Sequence, residues 1–251
     1  MEITTKIVAQ KKVQPQQKLQ VQKKAIKLLL ICGILSSLLY IAMNIFIPTL
    51  YQGYNSVTQT VSELSAIGAP TRPLWVPLGI LYTLFVAAFG VGIRQSAGQS
   101  RSLRILGSLM IVCGLIGLAW TPMHQREVTA AGGGSFTDTW HIIMSMITVL
   151  LMMLMMGFGA ASFGKGFRLY CIVSIVLFVV FGALTGLEAP GISTNQPTPM
   201  IGVWERINIG IFMIWTIVLA VILLRRKIIQ PRINNRPAEE IRQHIKVRQV
   251  I

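Results

Sequence analysis

The chain is short of acid. Eight Asp and Glu stand against 23 Lys and Arg in 251 residues, and away from the two ends the acids reduce to Glu63, Glu127, Asp138, Glu188 and Glu205. Histidine is scarcer, with only His124, His141 and His244. The three cysteines, Cys32, Cys113 and Cys171, sit in separate apolar runs with no C-x-x-C or Cys/His spacing, which excludes a zinc ribbon and a disulfide framework and leaves them as small buried hydrophobes. No P-loop, G-x-G-x-x-G, H-E-x-x-H, G-x-S-x-G or calcium-loop pattern occurs, so most standard soluble chemistries are removed. No repeat of solenoid or propeller period is present either.

The basic excess is not a nucleic-acid footprint. A nucleic-acid module clusters its Lys and Arg on a folded face with base-reading polar groups. Here they crowd the ends: Lys6, Lys11, Lys12, Lys18, Lys23, Lys24 and Lys27 before the first apolar run, Arg225, Arg226, Lys227, Arg232, Arg236, Arg242, Lys246 and Arg248 after the last. That placement fits membrane orientation and anionic lipid head groups.

What the chain has in abundance is long apolar runs, and the 53% hydrophobic content is concentrated in them. Six are of bilayer-crossing length: Leu28–Ile47, Leu74–Ile93, Leu103–Trp120, Trp140–Ala161, Leu169–Leu187 and Trp204–Leu224. The first lies behind a long Lys/Gln-rich arm and ends in Phe46-Ile47-Pro48 with no small-x-small site, so it reads as a retained helix and not as a cleaved signal. Pro77 falls in the first turn of the second run, where a missing N–H costs little. The expected architecture is an all-α membrane protein, a six-transmembrane-helix bundle over 28–224. A disordered basic arm (1–27) precedes it and a basic tail (225–251) follows.

Six spans put both termini on one side. Arg94, Arg101, Arg104, Lys165 and Arg168 occupy the two short turns on that side, so the positive-inside rule makes it cytoplasmic. All five non-terminal acids fall on the other side. Carboxylates contribute little to topology, so their segregation points to a polar vestibule facing outward.

The polar stretch Thr121–His141 interrupts the apolar middle and carries the main candidates. His124/Glu127 and Asp138/His141 are both spaced i, i+3, which puts each pair on one helix face. At the ends of consecutive antiparallel spans they can face one another, as a divalent-metal site formed by His124, Asp138 and His141 or as an acid/base set. The plainer reading has the histidines capping helix ends. Glu205-Arg206 opens the sixth span, where the dipole favours the carboxylate and Arg206 serves as counter-charge or snorkels to head groups. Ser62-Glu63 supplies a nucleophile, a further ligand or simply an N-cap. The methionines of the fourth run, Met144 to Met156, scatter around the helix and read as packing, not as a copper path. Gly182-x-x-x-Gly186 reads as a close helix contact.

Pro122-Met123-His124-x-Arg126, Thr137-Asp138-Thr139-Trp140-His141, Phe181-Gly182-Ala183-Leu184-Thr185-Gly186-Leu187 through Pro190, and Gly202-Val203-Trp204-Glu205-Arg206-Ile207-Asn208-Ile209-Gly210, with Ser62-Glu63-Leu64, together resemble the bacterial domain-of-unknown-function 998 family. The resemblance covers about Leu28 to Leu224 and implies a multi-pass bacterial membrane protein, with no activity attached.

The leading expectation is a protein of the bacterial cytoplasmic membrane whose vestibule, built from Glu63, His124, Asp138, His141, Glu188, Glu205 and Arg206, binds or transports a small polar or amphipathic ligand. Two alternatives stand beside it. One is a metal-dependent lipid hydrolase, with Glu63 or Glu205 as base. The other is a non-catalytic assembly subunit whose basic tails meet anionic lipid or a cytosolic protein. The expected partners are lipid and ligand, not nucleic acid.

Overall fold

The computed structural model describes residues 2–226, with side chains described from residue 17 onward except at Gly133. The tail from Lys227, including His244, lies outside the described residues. Residues 24–226 form one compact unit. Six long helices contribute to it: α1 (Glu2–Phe46), from residue 24 onward, α2 (Arg72–Ser96), α3 (Arg101–Leu118), α4 (Phe136–Ala160), α5 (Lys165–Glu188) and α6 (Ile201–Arg225). No strand occurs among the described residues beyond one isolated bridge between Ile67 and His124. All six helices carry a segment long and apolar enough to cross a membrane. Large apolar side chains such as Leu84, Leu115, Ile142, Leu169 and Val176 stand exposed on them, as a lipid-facing surface requires. The chain is a multi-pass helical membrane protein.

The elements differ from their expected limits in instructive ways. α1 begins at Glu2; Lys and Gln are good helix formers, so local propensity runs with the helix there. α2 starts at Arg72, so Pro73 takes the first-turn position and Pro77 lies inside the helix. α4 and α6 begin three or four residues earlier than their apolar runs; at α4 the reason is a polar first turn that a capping box keeps in the helix.

Consecutive helices pack as neighbours from α2 to α6. α1 joins through α2, where Gly33 meets the Phe89 ring and Gly92 the Leu29 backbone. The tightest approach is between α2 and α3. A Cβ on Gly107 would lie 2.8 Å from the Gly90 carbonyl oxygen, and one on Gly90 would lie 2.7 Å from the Gly107 carbonyl oxygen. The backbones themselves touch, the packing that small residues permit in apolar surroundings. Gly182-x-x-x-Gly186 does not behave this way. Gly186 has no neighbour within 4 Å of where a side chain would start, and both glycines line a cavity.

The long connections, 47–71, 119–135 and 189–200, gather at one end of the bundle, while short turns close the other. They are stitched backbone to backbone: Ile67 N–H donates to the Met123 carbonyl at 2.7 Å and Gly202 N–H to the Val57 carbonyl at 3.0 Å. A small apolar core of Met43, Ile47, Val61, Leu64 and Trp75 seats the first connection on α1 and α2. Replacing Gly107 by Ala should separate α2 from α3 and cost about 1–3 kcal/mol by overpacking, seen as a lowered Tm in detergent. Gly186→Ala should leave Tm within the spread of neutral surface changes.

Candidate functional site

The first connection folds around a capping box. Thr60 is the N-cap of the short helical turn Val61–Ser65, and Glu63, three residues on, reaches back to it. The Glu63 carboxylate accepts the Thr60 N–H at 2.7 Å and the Thr60 hydroxyl at 2.9 Å. The N-cap is thus Thr60 and not Ser62. The Glu63 carboxylate then accepts both Nε (2.8 Å) and an Nη (2.9 Å) of Arg126 in a bidentate pair. The pair is buried, Glu63 3% and Arg126 8% exposed. Arg126 also donates to the Thr198 hydroxyl at 3.1 Å and the Thr58 carbonyl at 3.3 Å. The Glu63 hydrogen bonds hold the guanidinium more firmly protonated than usual.

Arg206 does a similar job from α6. Its Nη atoms donate to the Ser56, Gln59 and Gly202 carbonyls at 2.9, 3.1 and 3.0 Å and to the Tyr54 hydroxyl at 2.6 Å. Burial pushes the Tyr54 phenol up to about 12, so it serves as a donor and acceptor and not as an acid. Arg206 therefore holds carbonyls of the first connection and makes no ion pair with Glu205.

Asp138 is the third residue of a second capping box, with Ser135 as N-cap of α4. It accepts the Ser135 N–H at 2.7 Å, the His124 N–H at 2.6 Å and pairs with His124 Nδ1 at 3.0 Å. Glu188 accepts the Met200 N–H at 3.0 Å and the Trp204 indole at 3.2 Å. Glu205 accepts the Val61 N–H at 2.6 Å. Glu127 is exposed.

His141, in the second turn of α4, is 4% exposed. Its Nδ1 is 2.7 Å from the Thr121 carbonyl oxygen and its Nε2 is 3.1 Å from the Ser62 hydroxyl. Trp120 meets the ring edge-to-face at 5.1 Å. Both nitrogens are thus spoken for, and His141 is not brought together with His124 and Asp138. Among the described residues no group of three or more His, Cys, Asp or Glu is placed to hold a metal.

A cavity of about 910 Å³ runs beneath these groups. Ser62, Asp138, His141 and Glu205 line it near the connections; Met153, Phe178 and Val179 line it farther along α4 and α5. Its lining follows α4 from Asp138 to Met153, about 20 Å at the helical rise. Lining residues Ile142 and Met146 are 59% and 67% exposed, so the cavity opens through the side of the bundle. A smaller cavity of about 260 Å³ adjoins it, sharing Tyr40, Trp75 and Trp120. Of the seven residues expected to form a vestibule, Asp138, His141 and Glu205 line the larger cavity. Glu63, His124, Glu188 and Arg206 instead hold the connections above it.

The sequence offered Ser62 as a nucleophile, a ligand or an N-cap without a partner for it, and did not mark Arg126 as a site residue. Thr60-x-x-Glu63 was a readable capping-box signal; a backbone carbonyl such as that of Thr121 leaves no signal in residue type.

Six apolar helices, polar connections at one end and a lateral cavity define a multi-pass membrane protein with a built interior site. The chain belongs to the family described as protein of unknown function (DUF998), whose model matches residues 34–222. No curated protein and no solved structure matches it.

Removing either partner of the buried pair strands the other charge, so Arg126→Ala or Glu63→Ala should cost about 3–5 kcal/mol, measured by thermal unfolding in detergent. Arg126→Lys should recover little, because an ammonium cannot reproduce the two-pronged contact.

Proposed function

We propose that this protein binds an amphipathic molecule, its polar head among Ser62, Asp138, His141 and Glu205 and its apolar tail along α4 and α5. The observation that carries this reading is the shape and chemistry of the larger cavity. It is polar where it meets the connections, mainly apolar farther along with Ser145, Thr148 and Asn208 interspersed, and open on the side of the bundle. A length of about 20 Å suits an acyl chain lying within a hydrocarbon layer about 30 Å thick. A soluble polar ligand would leave most of that wall unsatisfied.

In the same reading both termini are cytoplasmic, the connections and the polar end of the cavity face outward, and the membrane is the bacterial cytoplasmic membrane. Support comes from Arg94, Arg101, Arg104, Lys165 and Arg168, all near the short turns. The basic terminal segments then lie against the anionic inner leaflet, where each Lys or Arg adds about 1 kcal/mol of attraction.

Two measurements test this. Trp75 and Trp120 line the cavity, so a brominated long-chain fatty acid should quench tryptophan emission saturably. In Gly186→Phe the ring projects into open space and displaces part of the tail. Losing two methylenes, about 1.6 kcal/mol, weakens binding roughly tenfold; unchanged saturation would remove the cavity reading. For orientation, Gln52→Cys and Gln99→Cys in a chain lacking its three native cysteines place exposed thiols in a long connection and a short turn. An impermeant maleimide added to intact cells should label the first and not the second.

A further inference from the structure

We infer that Ser62 and His141 form a nucleophile–base pair that cleaves a neutral carboxylic ester of a long-chain lipid held in the cavity. The inference rests on the amphipathic-ligand reading above and adds chemistry to it.

The argument begins with a tautomer. The Thr121 carbonyl oxygen, 2.7 Å from His141 Nδ1, can only accept, so Nδ1 carries a hydrogen and donates it. In a neutral imidazole the other nitrogen then bears a lone pair. That nitrogen, Nε2, is 3.1 Å from the Ser62 hydroxyl, which donates to it. A serine O–H aimed at an imidazole lone pair, with the far N–H fixed by an acceptor, is the relation between nucleophile, base and orienting group in serine acyl transfer. Here a backbone carbonyl takes the place of the orienting carboxylate. Ring orientation is fixed a second time by Trp120 at 5.1 Å.

Ser62 is itself positioned from three sides. The capping box of Thr60 and Glu63 sets its turn, Glu205 of α6 holds the N–H of the preceding residue at 2.6 Å, and His141 of α4 engages its hydroxyl. Glu205 is a positioning residue in this scheme. Both Ser62 and His141 line the cavity, so the pair faces open volume and not packed protein.

The lining also limits the substrate. It contains no Lys or Arg but does contain Asp138 and Glu205. A phosphoester head would meet carboxylates and no cation, whereas an uncharged ester meets no such repulsion. The long apolar wall takes the acyl chain.

The reaction balances with water as the only co-reactant. Ser62 Oγ bonds to the acyl carbonyl carbon as its proton passes to His141 Nε2. The tetrahedral adduct breaks its bond to the ester oxygen, which leaves as an alcohol carrying that proton. Water then attacks the acyl–Ser62 ester with His141 again accepting a proton, and the fatty acid leaves as that proton returns to Ser62. Throughout, the Thr121 carbonyl stabilises the charged ring through Nδ1–H.

The test is an alkyl fluorophosphonate, which phosphonylates activated serines, applied to the purified full-length protein in detergent and read by peptide mass spectrometry. The expected result is a single adduct on the peptide containing Ser62. It should be absent in Ser62→Ala and slowed at least about a hundredfold in His141→Gln, the usual scale of a general base. The labelling rate of the wild type should follow a single ionisation that His141→Gln abolishes, a readout that a merely structural histidine would not move. Adduct formation on the wild type decides the matter even if a variant misfolds. Saturable quenching by the brominated fatty acid with no adduct at Ser62 would overturn the dyad and leave the binding reading standing. Loss of both would overturn the two together.

Discussion

The buried pair of Glu63 and Arg126 is the contact on which the connection end depends. One carboxylate closes a capping box within the first connection, and one guanidinium, carried by the second, also reaches Thr58 and Thr198. Three separate segments therefore meet on five charged-group atoms. Desolvating both ions is expensive, and the Coulomb gain offsets that only when the remaining donors and acceptors are satisfied. Here nearly all of them are. Such a pair contributes less to net stability than to choosing one arrangement of the connections over others. What it fixes is the turn Val61–Ser65, and through it the place of Ser62.

The bundle below is held by a different force. Between helices in lipid there is little hydrophobic gain, because a lipid tail solvates leucine as well as another helix does. Close approach of small residues supplies dispersion instead, and α2 and α3 use it at Gly90 and Gly107. α4 and α5 diverge from that pattern. Gly182 and Gly186 sit where no backbone comes near, and the space they leave belongs to the cavity. The same residue type thus serves both a backbone-to-backbone contact and the wall of a cavity. Only the partner across the gap distinguishes them.

That difference explains what could be read from the residues. Span number and order follow from hydropathy and length alone, because a bilayer admits few alternatives. Helix starts were displaced by a few residues, since Ser135 and Asp138 form a cap that apolar periodicity does not register. Asp138, His141 and Glu205 were found as candidates by their rarity and position. The partners of His141 could not be found that way. The expected facing of the two i, i+3 pairs does bring His124 to Asp138, but His141 is turned away from them to a carbonyl and a serine. Long-range hydrogen bonds to backbone atoms carry no residue signature, so the chemistry of His141 stayed hidden.

The one-sided placement of the acids takes on a different meaning in this light. From the sequence it suggested a charged vestibule open to a ligand. In the structure Glu63, Asp138, Glu188 and Glu205 each accept at least one backbone N–H: from Thr60, from His124 and Ser135, from Met200 and from Val61. Long irregular connections set against a membrane bundle leave amide groups that neither helix nor lipid can satisfy. A carboxylate meets that need more strongly than a neutral side chain. The acids gather at that end because the irregular backbone does. With most of their lone pairs committed, the polar end of the cavity is left with fewer free groups than its composition implies. Among those facing the open volume, the Ser62 hydroxyl against the lone pair of His141 is the contact whose geometry equips it for chemistry.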